Sequence, residues 1–317
     1  MHHDPKIERD DDRAGHASTS TSIWWPGART SAILLLCCSS CRLAGSFTEQ
    51  VTRDVEDCKP PLLFRIRLEI CLNEGVKVVT FFWGDPAPYV ERVHRAGALV
   101  THTVGSAEEA RRVVDAGVDI VIAQGWEAGG HVWGQVGTMA LVPAVVDAVD
   151  PVPVVAAGGI GDGRGLAAVL MLGGSGVWLG TRFLASVEAE VHQVQKEMVL
   201  RLSEQDTVYG QAFNIGWENA PHRTLRNSTV RAWEAAGSPK ENRPGEGEVI
   251  AANADGTPVV RYSDIMPGTD MTGDLEALAC YGGQSTGLIH SIEPAATIIR
   301  TMVDEATEAL ARGVRMA

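Results

Sequence analysis

The chain has 317 residues, which is enough for one barrel-sized domain and a smaller lobe. Hydrophobic residues make up 45% of the chain and its mean hydropathy is close to zero, a composition that excludes an intrinsically disordered protein. The formal charge of −13, from 27 basic and 40 acidic residues, argues against nucleic acid and an anionic membrane surface as partners.

The N-terminal segment differs in composition from the rest of the chain. Residues 1–30 are polar and charged, and we predict that they are disordered. Residues 32–38 are apolar, but the run is too short to span a bilayer, and the acidic stretch before it argues against a signal peptide. Cys38 and Cys41 form a C-x-x-C pair without a second pair or a nearby histidine, so no metal site is predicted. The rest of the chain carries no disulfide framework, which favours a reducing, cytoplasmic environment.

From residue 76 the sequence alternates between predicted strands and predicted helices. The strands are expected at 76–82, 98–104, 120–123, 153–160 and 176–183, and the helices between them at 89–96, 107–115, 141–149 and 163–172. Ser106 is the expected N-cap of the second helix, with Glu109 completing a capping box. This alternation predicts an α/β fold with a parallel sheet and right-handed crossovers. A last amphipathic helix is expected at 293–312.

The strand at 120–123 leads into a loop that carries a candidate catalytic residue. The loop contains Gly125, Gly129 and Gly130, and His131 stands where it closes. Enzymes with parallel α/β barrels carry their chemistry on loops of this kind, and histidine exchanges protons readily near neutral pH. His131 is therefore a candidate acid or base, and the alternative is that it only closes the loop.

The next two predicted strands end in glycine-containing loops. One ends in Gly158 and Gly159, and the other in Gly180 and Thr181. Glycines at neighbouring strand ends let backbone N–H groups approach an anion without an intervening Cβ. The pattern predicts a phosphate-binding loop pair for a phosphorylated cofactor. The alternative is that these glycines only form tight turns.

Three segments of the chain resemble one family of enzymes. The segments AQGWEAGGH, AAGGIGDGRGLAAVLMLGGSGVWLGTRFLAS and YGGQSTGLI are similar to the FMN-dependent nitronate monooxygenases, and the resemblance extends over about residues 66–312. It implies FMN as cofactor, His131 as catalytic base, and oxidation of an alkyl nitronate or nitroalkane by O₂ to a carbonyl compound and nitrite. Together with the glycine loops, it gives an expected set of FMN-binding residues: Gln124, Gly125, Gly129, Gly158, Gly159, Trp178, Leu179, Gly180 and Thr181.

The chain also departs from the family. A complete member begins with three further βα units, and nothing in residues 1–65 matches them. We therefore predict a TIM-type (β/α)8 barrel that is incomplete at its N-terminus, with about five recognisable βα units. The expected division is a disordered or unrelated segment at 1–65, an FMN-binding barrel portion at 66–190, and a helical and irregular C-terminal lobe at 191–317.

Two alternative functions follow from these features. The first is a related flavin enoyl-thioester reductase, although no G-x-G-x-x-G after a strand indicates a separate nicotinamide domain. The second is an inactive remnant that does not bind FMN. Several other residues are weaker site candidates, each weighed against a structural role: Trp83, His102, Glu127, Trp133, Arg182, Tyr281 and Gln284.

Overall fold

The computed structural model describes residues 33–36 and 61–316. The predicted disorder of residues 1–30 and the Cys38–Cys41 pair lie outside the described residues. The strands are β1 (Ile33–Leu36), β2 (Val78–Phe82), β3 (Leu99–Val104), β4 (Ile120–Gln124), β5 (Gly130–His131), β6 (Val154–Ala157), β7 (Gly176–Leu179), β8 (Thr207–Gly210), β9 (His222–Leu225), β10 (Val249–Ala252), β11 (Pro258–Val260) and β12 (Thr272–Gly273).

Helices lie between these strands, and some of them cover one side of the main sheet. They are α1 (Pro61–Asn73), α2 (Ala87–Arg95), α3 (Ala107–Asp115), α4 (Thr138–Val149), α5 (Gly163–Met171), α6 (Thr181–Leu184), α7 (Gln193–Arg201), α8 (Ser228–Ala235) and α9 (Ala295–Met316). Short 3₁₀ segments lie at Glu204–Asp206, Leu275–Ala277 and Gln284–Leu288. In the part of the chain that the structure describes, no helix is long and apolar enough to cross a membrane.

The main sheet has six strands in the order β1-β7-β6-β4-β3-β2, and every neighbouring pair is parallel. The five predicted βα units are confirmed, and they follow one another in the sheet as they do along the chain. Within the described residues the sheet is open, with β1 and β2 at its edges. A TIM barrel has eight parallel strands, so the described residues form an open part of such a barrel.

Strand β1 was not expected from the sequence. Its four residues, ILLL, lie within the segment predicted to be disordered or unrelated to the barrel, and they pair in parallel with β7. In a closed (β/α)8 barrel the first strand lies beside the last one, and β1 takes that position. The apolar run at 32–38 is not followed by a recognisable helix and strand of the repeating pattern, so the sequence alone did not assign it to the sheet.

The two faces of the sheet pack against different partners. Val121 and Ala123 of β4 belong to the large core between the sheet and its helices. Ile120 and Ile122, which alternate with them, point to the opposite face and pack with Val155 of β6. In a barrel this second face fills the interior, and it leads to the carboxyl ends of the strands, where functional groups gather.

Helix α3 begins at the predicted cap. Ser106 Oγ accepts a hydrogen bond from Glu109 N at 3.1 Å. The Glu109 carboxylate accepts from Gly105 N at 2.8 Å, one residue earlier than a capping box places it. The cap fixes the loop after β3, which lies next to the candidate site.

The C-terminal lobe contains more strands than the sequence indicated. Two antiparallel sheets, β5-β9-β8 and β11-β10-β12, accompany its helices. Their strands are two to four residues long and show no clear alternation, so the sequence predicted only helical and irregular structure. The first of these sheets brings the lobe back against the loop of His131.

Candidate functional site

The residues predicted to form the site come from adjacent strand ends. Gln124, Ala157 and Trp178 are register partners across β4, β6 and β7. The carboxyl ends of these strands therefore meet at one edge of the sheet, as parallel strands require. Gln124 and Trp178 lie on the barrel-interior side, because they alternate with the helix-facing residues of their strands.

Gln124 links the end of β4 to the loop of His131. Its side-chain nitrogen Nε2 donates to the His131 carbonyl oxygen at 3.0 Å. Its side-chain oxygen Oε1 is buried and accepts no hydrogen bond from the described residues. A buried amide oxygen without a donor loses its hydration without compensation, so this atom suits the N–H group of a ligand.

The fold requires glycine at some of the strand ends and not at others. Gly158 and Gly159 have φ angles of 95° and 73°, in the left-handed region that favours glycine. A Cβ on Gly158 would lie 2.9 Å from Ala128 N. These two glycines are therefore needed for the turn after β6 and its close contact with the preceding loop.

The fold itself does not require a glycine at position 180. Its φ is −94°, which any residue adopts, and a Cβ placed there would meet nothing within 4 Å. Leu179 beside it is only 2% exposed and packs in the helix-facing core, so its backbone alone reaches the strand end. Thr181 Oγ1 accepts a hydrogen bond from Gly283 N at 2.9 Å. Gly180 therefore faces open space at the end of β7.

Gly129 sits where two loops touch through their backbones. A Cβ on Gly129 would collide with Gly283 N and with the carbonyl carbon of Gly282. We expect Gly129→Ala to lower the free energy of unfolding by about 3 kcal/mol, because neither backbone can give way cheaply. Urea denaturation measures this, with Gly313→Ala as control, since a Cβ there meets nothing within 4 Å. A Gly129→Ala variant as stable as the unchanged chain would show that the loops do not pack as described.

His131 lies inside a group of aromatic rings. Its own ring centroid is 4.3 Å from Trp217, 5.4 Å from Tyr281 and 5.8 Å from Trp83. The residue is 9% exposed, and its backbone pairs with His222 across β5 and β9. The imidazole is thus held at the edge of the sheet and shielded from bulk water.

His222 is fixed in a neutral form beside His131. Phe213 N donates to its Nε2 at 3.1 Å, so its Nδ1 carries the proton and donates to Ala220 O at 2.9 Å. Burial lowers the pKa of His222 to about 4, because the charged ring would be desolvated. The two ring centroids of His131 and His222 are 5.8 Å apart. His222 therefore supports the site without adding charge near neutral pH.

The low pKa of His222 makes stability depend on pH. The unfolded chain takes up this proton near pH 6.5 and the folded chain only near pH 4, so acidification through this window favours unfolding. We expect the free energy of unfolding to fall by up to about 3 kcal/mol between these pH values on this account. Urea titrations at pH 7 and pH 4.5 should show a smaller fall for His222→Gln than for the unchanged chain. Equal falls would refute this assignment.

Glu127 and Arg223 anchor the loop that leads to His131. The Glu127 carboxylate accepts from Thr138 N at 2.9 Å and Thr138 Oγ1 at 3.0 Å, at the first turn of α4. The Arg223 guanidinium lies 4.3 Å from the Trp126 ring and donates to Trp126 O at 2.9 Å. Arg223 is only 2% exposed and was missed from the sequence, because it belongs to a four-residue strand far along the chain.

The weaker candidates divide between the site and the core. Tyr281 and Trp83 contact the His131 ring, and Trp133 contacts Trp83 at 5.4 Å. His102 is fully buried, with its ring nitrogens near Thr103 O and Gly84 O, so the core interpretation is confirmed. Arg182 donates to Ser291 O at 3.1 Å, and Gln284 N donates to Glu127 O at 3.0 Å.

Among residues 33–36 and 61–316, no group of three or more His, Cys, Asp or Glu side chains could hold a metal ion.

Comparisons with known proteins identify a family and relatives of the chain. A family model described as nitronate monooxygenase matches residues 44–305. The match begins upstream of the motifs that were recognised in the sequence. A Mycobacterium tuberculosis protein named as a monooxygenase is 36% identical over 75% of this chain and 61% of its own length. A Rhodococcus jostii protein named as an octahydro-indene-carboxyl-CoA dehydrogenase is 40% identical over 54% of this chain and 47% of its own length.

A solved structure has a similar fold. The nitroalkane oxidase of Streptomyces ansochromogenes superposes with a TM-score of 0.61 and 29% identity, covering 78% of this chain and 68% of that one. The chain spans about half to three-fifths of the length of the two curated relatives.

Proposed function

Because the chain belongs to the nitronate monooxygenase family, we propose that it oxidises alkyl nitronates with FMN and O₂ to a carbonyl compound and nitrite. One observation carries the proposal. His131 is 9% exposed among aromatic rings at the carboxyl end of the sheet, and Gln124 fixes its backbone. A shielded imidazole at that edge suits the removal of a proton from a carbon acid.

The strand ends fit a flavin cofactor in two respects. The buried Oε1 of Gln124 has no donor in the described residues, and a flavin ring offers an N–H group for it. The open space beside Gly180 allows a phosphate to approach the backbone at the end of β7. The proposed FMN-binding residues remain Gln124, Gly125, Gly129, Gly158, Gly159, Trp178, Leu179, Gly180 and Thr181. When bound, FMN would supply the redox chemistry, and the protein would orient it.

His131 would prepare neutral nitroalkanes for oxidation. Its unprotonated ring nitrogen would take the proton from the carbon that bears the nitro group, which leaves a nitronate anion and an imidazolium. A nitronate supplied as such would not need this step. Trp217 and Tyr281 pack against the ring and would keep water from competing for the proton.

A second candidate function is reduction or oxidation of an acyl thioester. The name of the Rhodococcus jostii relative, a carboxyl-CoA dehydrogenase, favours it. The two functions are separated by one pair of assays on the flavin-supplied protein. Nitrite release with O₂ uptake from propyl-2-nitronate supports the first, and NADH or NADPH oxidation with crotonyl-CoA supports the second. Activity in the second assay alone would overturn the proposed function.

A further inference from the structure

Trp83 stands at the carboxyl end of β2 in a strained backbone conformation. Its φ is 63°, and Gly84 after it has a φ of 67°. A bulky residue in the left-handed region is an outlier, because its Cβ crowds the backbone. Such strain persists only where the surroundings hold the residue in place, and it is concentrated at ligand sites.

The indole of Trp83 lies in the same aromatic group as His131. Its ring centroid is 5.8 Å from His131, 4.9 Å from Trp217 and 5.4 Å from Trp133. The residue is 5% exposed, whereas Trp133 beside it is 51% exposed. Trp83 is therefore buried against the proposed base, and the more exposed Trp133 packs against it.

The indole N–H of Trp83 finds no acceptor in the part of the chain that the structure describes. Nε1 is buried and makes no hydrogen bond with the described residues. Trp233, elsewhere in the lobe, shows the usual arrangement, since its Nε1 donates to Pro239 O at 2.9 Å. A buried donor without an acceptor is unfavourable, so an oxygen atom brought to this position would be stabilised.

A cavity adjoins the Trp83 ring. Its volume is about 270 Å³, near the lower end of small-molecule sites. Its walls include Trp83, Gly84, Asp85, Glu109, Arg112 and Trp133. A ligand of a few heavy atoms in this cavity would lie against the indole of Trp83, which itself contacts the His131 ring.

We propose that Trp83 is a substrate-binding residue whose indole N–H donates to an oxygen of the nitro or nitronate group. The proposal rests on the proposed function, because it assumes a substrate whose carbon lies against His131. Negative charge grows on the nitro oxygens as His131 removes the proton, so a neutral donor at this point stabilises the transition state as well as the nitronate. Trp83 would thus favour substrates with an acceptor oxygen beside the reacting carbon.

The test removes the N–H and measures ligand binding. In Trp83→Phe, the dissociation constant of nitrite, a small unreactive oxyanion with the same N–O groups, should rise about tenfold. The KM for propyl-2-nitronate should rise with it. Trp233→Phe is the matched control, and it should leave both values unchanged. A chain with the Trp83 indole nitrogen replaced by sulfur, as in 3-benzothienylalanine, keeps the ring shape and should behave like Trp83→Phe.

A direct observation accompanies the variants. The indole ¹H–¹⁵N NMR signal that disappears in Trp83→Phe should move when nitrite is added to the flavin-supplied protein. An unmoved signal, or unchanged nitrite binding in the sulfur-containing chain, would overturn the proposal even if nitronate is turned over. A moving signal and weakened nitrite binding without nitronate turnover would instead support Trp83 and overturn the proposed function.

Discussion

His131→Asn should lose nitroalkane turnover by about 10²–10⁴-fold, the usual contribution of a general base, and retain much of its activity on preformed nitronate. Asparagine keeps a polar side chain at the end of the loop but cannot accept a proton from carbon near neutral pH. The nitronate is already deprotonated and does not need the base. Steady-state nitrite release from 2-nitropropane and from propyl-2-nitronate measures the two activities separately.

The control for this variant is another histidine. His290→Asn changes an exposed residue and should leave both activities unchanged. Equal losses of His131→Asn on the two substrates would reject the assignment of His131 as base and would indicate a role in holding the site. A loss on neither substrate would place the reaction elsewhere.

Gly180→Ala should weaken FMN binding by about tenfold or more without lowering the stability of the flavin-free protein. Its φ of −94° suits alanine, and the added Cβ meets nothing within 4 Å of the protein. The methyl group would instead occupy the space from which a phosphate approaches the end of β7. Flavin titration followed by fluorescence, together with urea denaturation without FMN, measures both parts.

Gly313→Ala is the matched control for this prediction as well. It adds the same methyl group to α9, where nothing lies within 4 Å, and it should leave FMN affinity unchanged. If Gly180→Ala binds FMN as well as the unchanged chain, the phosphate does not lie at the end of β7. If it unfolds instead, the space beside Gly180 is not open.

Local patterns in the sequence predicted most of the sheet. Apolar runs marked all five strands and helix signals marked the four helices between them, and Ser106 showed where one helix begins, whereas the last strand ends at Leu179 and residues 181–183, predicted as strand, belong to a short helix. The loop of His131 could be placed because parallel strands bring their carboxyl ends together. Glycine spacing also marked the strand ends, although the structural reason differs between Gly158, which the turn requires, and Gly180, which faces open space.

The surroundings of His131 could not be predicted in the same way. Trp217, His222 and Arg223 reach the site from the C-terminal lobe, about 90 residues away along the chain, through a ribbon of two- and four-residue strands. Such short strands show no periodicity, and no local pattern specifies which distant segment they pair with. The left-handed backbone conformation of Trp83 could not be predicted from the sequence either, because that conformation usually occurs at glycine and not at tryptophan.

The most direct test is whether this chain, with six described barrel strands, forms a working flavin site. Purified protein is titrated with FMN, freed of unbound flavin, and its absorbance spectrum is recorded before and after anaerobic addition of propyl-2-nitronate. We expect retained flavin whose visible absorbance bleaches with the nitronate. A protein that retains no flavin would contradict the proposal and favour an inactive remnant of the family.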